Sequence, residues 1–253
     1  MTGQSRARAR IGVLVPFTNT NLEPDMMRLC PPGCTLHFAR LGGYDIDAIP
    51  DSTQMAGLGA SDLDEPLRLL AGVRPDVILY GCTSATLSHG PAFDRNLAAK
   101  VEALSGAKTV TAAGAVVMAL TALGVRRIGF ASPYVAELND RAIAFLAESG
   151  IEAVSRADWP ETLDNYGQGE LTPDQIMDLA RRADSRDAEV LVLSCTDMRS
   201  VEVVEQIEAA LAKPVVASNQ AMIFAALPLL GIETAEIQCG KLLSAVSIRE
   251  KIV

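Results

Sequence analysis

The sequence predicts an α/β fold made of two lobes on the same plan, each a parallel sheet flanked by helices. Three observations point to it. Short apolar, partly β-branched runs alternate with longer helix-like segments along 253 residues, the pattern of strand–helix–strand units and a parallel sheet. The stretch Arg10-Ile11-Gly12-Val13-Leu14-Val15-Pro16-Phe17 returns as Arg127-Ile128-Gly129-Phe130-Ala131-Ser132-Pro133-Tyr134, with Ile128 117 positions after Ile11. The run Val77-Ile78-Leu79-Tyr80-Gly81-Cys82-Thr83 returns as Val190-Leu191-Val192-Leu193-Ser194-Cys195-Thr196, with Cys195 113 positions after Cys82. Two patterns repeated in the same order at near-equal offsets mark a duplicated unit. The first lobe is expected to span residues 1–115 plus 217–253, and the second 116–216.

Taken in order, residues 1–9 read as a mobile tail. Ile11–Val15 is the first strand, and the polar loop after Pro16 leads into a helix at Leu22–Leu29. Thr35–Arg40 is the second strand. Leu41–Gly59, with Gly42-Gly43, Pro50 and several aspartates, reads as a long loop, and loops of that length are often functional. A helix at Asp62–Ala71 precedes the buried strand Val77–Tyr80, which is apolar without alternation because both faces are covered. Pro91 at a first-turn position opens a helix over Ala92–Leu104. A short strand, Lys108–Val110, and a helix, Ala113–Leu123, stopped by Gly124, follow. The second lobe repeats the scheme: a helix from Tyr134 to Glu148, a strand at Glu152–Arg156, and a loop holding Trp159, Asn165, Tyr166 and Gly167. Then come a helix at Pro173–Ala183, the strand Val190–Leu193, a helix at Val201–Leu211, a strand at Pro214–Ala217 and a helix from Gln220. An apolar helical piece at Lys241–Val246 closes the chain.

Composition narrows the function. The net charge is −9 and aromatics are only 4%, which argues against a nucleic-acid partner and against base-stacking platforms. An anionic small molecule remains compatible, because helix N-termini and backbone N–H groups make local positive sites. No apolar segment is long enough to span a bilayer, the longest being Ala112–Leu123. The basic start runs straight into a strand without the features of a signal peptide, so a cytoplasmic protein with no membrane partner is expected. The five cysteines are odd in number and widely spaced, unlike a disulfide framework. With only two histidines, His37 and His89, a metal site is not expected. No phosphate-cradling glycine motif or Schiff-base lysine context is present either, so no cofactor is expected.

In open α/β sheets ligands bind beyond the carboxyl ends of the strands, where Cys82 and Cys195 both lie. A free cysteine is commonly just a small buried hydrophobe. That bland reading suits Cys30, Cys34 and Cys239, and it suits a matched pair at two strand ends far less. If the lobes face each other, both thiols point into one cleft. The thiolate is the reactive form, and hydroxyl and N–H donors favour it. Cys82 is followed by Thr83, Ser84, Thr86 and Ser88, and Cys195 by Thr196 and then acidic Asp197. Thiolate formation is therefore expected to be easier at Cys82. Asn19 reads equally well as a helix cap, Tyr134 as packing at a helix start and Asn165 as a turn residue. His37 and His89 read as loop or cap histidines, Arg199 as a surface ion pair or a carboxylate contact, and Trp159 as lobe packing or cleft wall.

The paired lobes with their strand-end Cys-Thr resemble the aspartate/glutamate racemase superfamily, on the branch of maleate cis-trans isomerases and arylmalonate decarboxylases, which also includes ectoine-utilisation homologues. The segment Ala113–Leu146 and the stretch Gly81–Ala92 are similar to the decarboxylases. Pro16–Glu23, with Asn19-Thr20, resembles the isomerase motif Pro-Ser-Ser-Asn-Thr followed by Glu, with Phe17-Thr18 in place of Ser-Ser. Asp164-Asn165 matches an isomerase asparagine that the decarboxylases lack, and cysteine at both strand ends is the isomerase and racemase pattern rather than the single-cysteine decarboxylase one. The resemblance implies a racemase-like two-lobe fold and a small carboxylate or dicarboxylate substrate. It also implies Cys82 and Cys195 as the catalytic pair, with Cys82 the nucleophile, and neither metal nor cofactor. Asn19, Tyr134 and Asn165 match substrate-contacting positions, Thr83 and Ser84 a carboxylate pocket, and Thr196 is a further candidate donor. A homo-oligomer, dimer or tetramer, is expected. Racemisation, decarboxylation and plain small-molecule binding between two lobes are the competing readings.

Overall fold

The computed structural model describes residues 9–42, 47, 51–59, 63–232 and 237–244. The expected tail at residues 1–9 lies almost wholly outside them, as do Asp62, most of residues 43–50, and Ala245 and Val246.

The first sheet is built from β1 (Ala9–Pro16), β2 (Cys34–Leu41), β3 (Val77–Tyr80) and β4 (Lys108–Thr111), in the order β2-β1-β3-β4. The second is built from β5 (Arg127–Ser132), β6 (Glu152–Asp158), β7 (Val190–Leu193) and β8 (Val215–Ala217), in the order β6-β5-β7-β8. Every pairing is parallel, and the two sheets have the same strand order. The duplicated α/β plan read from the sequence is therefore the observed one. The central strands β3 and β7 are buried at all four positions, which is why both read as unbroken apolar runs.

The repeated Ile-Gly has a packing cause. The helices before β5 are α1 (Leu22–Leu29), α2 (Ser52–Gly59), α3 (Asp64–Ala71), α4 (Thr83–Leu87), α5 (Gly90–Ser105) and α6 (Ala112–Leu123). Those that follow are α7 (Ala136–Glu148), α8 (Gly167–Glu170), α9 (Pro173–Ala183), α10 (Val204–Leu211), α11 (Ser218–Leu230) and α12 (Gly240–Ser244). A Cβ on Gly12 would meet the Leu70 side chain of α3 at 2.9 Å, and one on Gly129 would meet the Ala183 carbonyl of α9 at 2.4 Å. In each lobe the helix before the cysteine strand lies directly on the first strand, and glycine makes the room.

Helices α6 and α11 are apolar on nearly every side and pack on each other between the sheets. Both reach β4 and β8, so one continuous core runs through both lobes, from Ile11, Val13 and Leu79 to Phe130, Val190 and Val192. The opposite face of the first sheet forms a smaller core, where Ile78 and Tyr80 of β3 meet Met55, Leu58 and Cys82.

Three expectations on local structure are corrected. The span Leu41–Gly59 is not a loop throughout: α2 forms within it, and the Asp51 carboxylate accepts the Thr53 and Gln54 N–H groups at 2.9 and 3.0 Å. That capping residue was the readable signal, hidden by the glycines around it. The helix expected at Val201–Leu211 starts as a single 3-10 turn, Ser200–Glu202, and becomes α-helical at Val204. Finally, the chain enters α4 immediately after Cys82, and the single turn α8 begins at Gly167, where the loop holding Trp159, Asn165 and Tyr166 ends. Among the described residues no helix is long and apolar enough to cross a membrane.

Candidate active site

The two cysteine loops leave their sheets in the same way. After β3 the Gly81 N–H donates to the Leu14 carbonyl at 2.9 Å, and after β7 the Ser194 N–H donates to the Ala131 carbonyl at 2.8 Å. Each bond extends the ladder by one rung, and the next residue is the cysteine. Both sulfur-bearing side chains reach the same cavity, Cys82 5% exposed and Cys195 2%. Asn19, Ser84, Tyr134, Asn165 and Thr196 line it with them.

Tyr134 sits between the thiols. Its hydroxyl donates to Cys195 Sγ at 3.0 Å, and burial together with both sulfurs, Cys195 before Cys82, holds its proton well above the ordinary tyrosine range. The Asp197 N–H also points at Cys195 Sγ, at 3.3 Å. On the other side Cys82 Sγ lies 3.6 Å from Ser84 Oγ, which donates to the Met55 thioether at 2.8 Å.

The threonine after each cysteine ties its loop to a distant part of the chain, and Thr196 ties one lobe to the other. Thr196 Oγ1 accepts from Asn19 Nδ2 at 3.1 Å and donates to the Gly81 carbonyl at 2.9 Å, next to Cys82. Thr83 Oγ1 donates to Ser218 Oγ at 3.0 Å, at the start of α11. The repeated Cys-Thr is thus a thiol beside a clasp.

Burial pushes both thiols up. At Cys82 desolvation is the largest effect, opposed by the Ala85 N–H and by the hydroxyl and N–H of Ser84. At Cys195 desolvation, and then the charge of Asp197, push the thiol up to about 12, against the Tyr134 hydroxyl and the N–H groups of Asp197 and Met198. The donors expected to favour the Cys82 thiolate do act in that direction, but desolvation exceeds them, because excluding water penalises a buried anion more than a few donors restore. The asymmetry between the thiols survives: a carboxylate raises Cys195, and no anion raises Cys82.

The family model described as arylmalonate decarboxylase matches residues 11–243. The chain belongs to this family. It is 30% identical over 248 residues to the maleate isomerase of Nocardia farcinica, covering 92% of this chain and 95% of that one. It is 29% identical over 233 residues to the arylmalonate decarboxylase of Bordetella bronchiseptica, 86% of each chain. Among solved structures, a cysteine-to-serine variant of Nocardia farcinica maleate cis-trans isomerase with a covalently bound succinylcysteine intermediate superposes with a TM-score of 0.86 at 27% identity, over 94% of this chain and 99% of that one. A crystal structure of arylmalonate decarboxylase gives 0.74 at 25% identity, over 92% and 98%. The protein is an enzyme of the isomerase-like branch of the arylmalonate decarboxylase family, as the sequence resemblance implied.

Set in this family fold, seven of the eight residues singled out from the sequence converge on the cavity, and Thr83 does not. Its hydroxyl is turned away to Ser218, because Thr83 opens α4 and the helix carries its side chain into the core rather than the cleft. Asn19 serves both readings: its Oδ1 accepts the Asn21 and Leu22 N–H groups at the start of α1, while its Nδ2 faces Thr196. The sequence did not single out Thr18, Met55, Leu58 and Gln168 for the lining, and it read Asp197 only as a neighbour of Cys195. Met55 and Leu58 come from α2, the helix taken for loop, and form an apolar wall beside Cys82. Arg199 is held by Glu202 through two contacts of 2.9 Å and does not line the cavity. His89 bonds the Ala85 carbonyl, His37 meets Thr35, and Cys30, Cys34 and Cys239 lie outside the cavity. Among the described residues Asp197 is the one charged side chain in the lining. Among the described residues no three His, Cys, Asp or Glu side chains gather to hold a metal.

Proposed function

We propose that this enzyme isomerises a small cis-dicarboxylate of the maleate type to its trans isomer, with two cysteines and without metal or cofactor. The observation that carries the reading is the pair of thiols in one cavity with a tyrosine hydroxyl between them. A relative of the same fold that holds a succinylcysteine supports the covalent step.

In this mechanism Cys82 enters the cycle as the thiolate, its proton already released to solvent, and its sulfur adds to one alkene carbon. The π electrons move to the other carbon and into its carboxylate as an enediolate, which the Cys195 thiol protonates to give a succinyl thioether. The former double bond now rotates freely. Cys195 takes the proton back, the carbon–sulfur bond breaks, and the trans alkene leaves with Cys82 again a thiolate, so that all atoms balance. Ser84, Tyr134, Asn19, Asn165 and backbone N–H groups hold the carboxylates. Among the described residues no lysine, arginine or histidine lines the cavity, and in this mechanism neutral preorganised donors take the part of cations. We further place the enzyme in the cytoplasm as a homo-oligomer.

The test is proton NMR of maleate with the enzyme in deuterated buffer. Fumarate formation, with loss of activity in Cys82→Ser, is the expected result. Loss of carboxylate from an arylmalonate, or α-deuteration of aspartate or a hydantoin, without fumarate formation, would move the enzyme to the decarboxylase or racemase reading.

A further inference from the structure

Asn219 lies on α11, is buried, and does not line the cavity. Its amide nitrogen has two hydrogens, and both are placed. One goes to Asp25 Oδ2 at 2.7 Å, the other to the Thr196 carbonyl at 3.0 Å. Thr196 is the residue after Cys195, and its hydroxyl closes on Gly81 next to Cys82. Asp25 is on α1 and only 3% exposed. Asn219 Oδ1 has no hydrogen-bond partner among the described residues. The orientation of the amide is therefore dictated by its acceptors, since turning it over would set two carbonyl oxygens against each other. A buried carboxyl and an amide left half-satisfied are costly features of a core.

We propose that Asn219, held by Asp25, is a positioning residue for the Cys195 loop: it fixes the Thr196 peptide and, through it, the aim of the Cys195 sulfur and the clasp onto the Cys82 loop.

The same pair makes the loop sensitive to pH. Burial pushes the Asp25 carboxyl up to about 7, the Asn219 N–H and Arg28 opposing, Glu202 and Asp197 adding to the rise. Arg199 and Cys239 are the other titratable groups that feel it, and Arg40 of the adjoining strand is turned to Glu23. Ionised, Asp25 accepts from Asn219 and the arrangement stands. Protonated, it keeps only an uncharged carbonyl oxygen as acceptor, so the charge-assisted bond that aligns the Asn219 amide weakens and its hold on the Thr196 carbonyl loosens. The loop is held above about pH 7 and slackens as the pH falls through that value.

The inference rests on Cys195 belonging to the reacting pair but not on which substrate is turned over. Two readouts separate these. The first is iodoacetamide labelling of Cys195, located by peptide mass spectrometry and followed against pH, which needs no substrate. The second is kcat and KM on maleate. Asn219→Ala is expected to lower kcat roughly tenfold or more with KM moving less than about twofold, because a misaimed group costs rate rather than binding. Asp25→Asn keeps an oxygen acceptor that cannot titrate, so it should remove the inflection near pH 7 from the Cys195 labelling profile. A lower melting temperature with kcat and the labelling profile unchanged would overturn the proposal. Should Asn219→Ala fail to fold, the Asp25→Asn profile decides alone. A wild-type chain inert to maleate would remove the substrate reading and leave the labelling test in force.

Discussion

The two cysteine loops start from the same geometry and end in different environments. Each follows the fourth residue of a buried strand by two positions, after a backbone bond to the neighbouring strand. Beyond that point Cys82 turns into a helix, with Ser84 and two α4 N–H groups as its donors and Met55 and Leu58 as an apolar wall. Cys195 turns into a loop anchored by the opposite lobe: the Asp197 carboxylate accepts the Thr20 and Asn21 N–H groups at 2.8 and 3.0 Å, and the Thr196 hydroxyl reaches Gly81. The same anchoring carboxylate raises the Cys195 thiol. Duplication thus supplied two equivalent thiols, and contacts between the lobes made them unequal, one suited to release its proton and the other to keep it until it is needed.

The largest effect expected from this comparison is at the sulfurs. Cys82→Ser should lower turnover by about 10³-fold or more, since a hydroxyl without an adjacent base is a poor nucleophile. Cys195→Ser should retain a substrate adduct detectable by intact mass and slow its resolution. An adduct found on Cys195 instead would reverse the assignment.

Asp197→Asn should narrow the difference between the loops. The amide oxygen can still accept the Thr20 and Asn21 N–H groups, but the charge is gone. Cys195 labelling by iodoacetamide should then accelerate at a given pH, with Cys82 little changed. In the wild-type chain both labelling rates should keep rising with pH beyond 9, because burial holds each thiol's proton above its ordinary value of 9.0 and the thiolate fraction grows as the pH climbs toward the raised value. A Cys195 that labels faster than Cys82 at every pH would break the comparison.

Thr83→Val tests whether this threonine is a clasp or a substrate contact. Losing the donor to Ser218 should cost about 1–3 kcal/mol of stability, read from denaturant midpoints, with KM unmoved. A large rise in KM with unchanged stability would return Thr83 to the substrate site.

The smallest effect concerns Tyr80, the buried tyrosine of the strand that leads to Cys82. Tyr134 donates to Cys195, whereas the Tyr80 hydroxyl is buried without a partner among the described residues. Tyr80→Phe should therefore stabilise the fold, by about 1 kcal/mol or less once the small void is counted. Destabilisation would mean that the hydroxyl has a partner that forms in solution.

Much of this was legible in the chain because it depends on short-range pattern. β7 and α9 stand at Val190–Leu193 and Pro173–Ala183 as read, since a continuous apolar run and a Thr-Pro cap are local signals. α2 was missed because a glycine-rich span hides its Asp51 cap, and with α2 went Met55 and Leu58.

What the sequence determined by itself was the doubled α/β plan, the placement of two thiols at two strand ends, and the acidic neighbour of one of them. These follow from periodicity and adjacency, which are properties of neighbouring residues. The tertiary structure alone decided which hydroxyl of the pair Thr83-Ser84 faces the cavity, that each Cys-Thr threonine clasps a residue far away in the chain, and that burial outweighs the donors around both sulfurs. Each of these depends on groups far apart in the chain: Thr83 on Ser218, Thr196 on Gly81, and the ionisation of each thiol on all the apolar surface that excludes water from it.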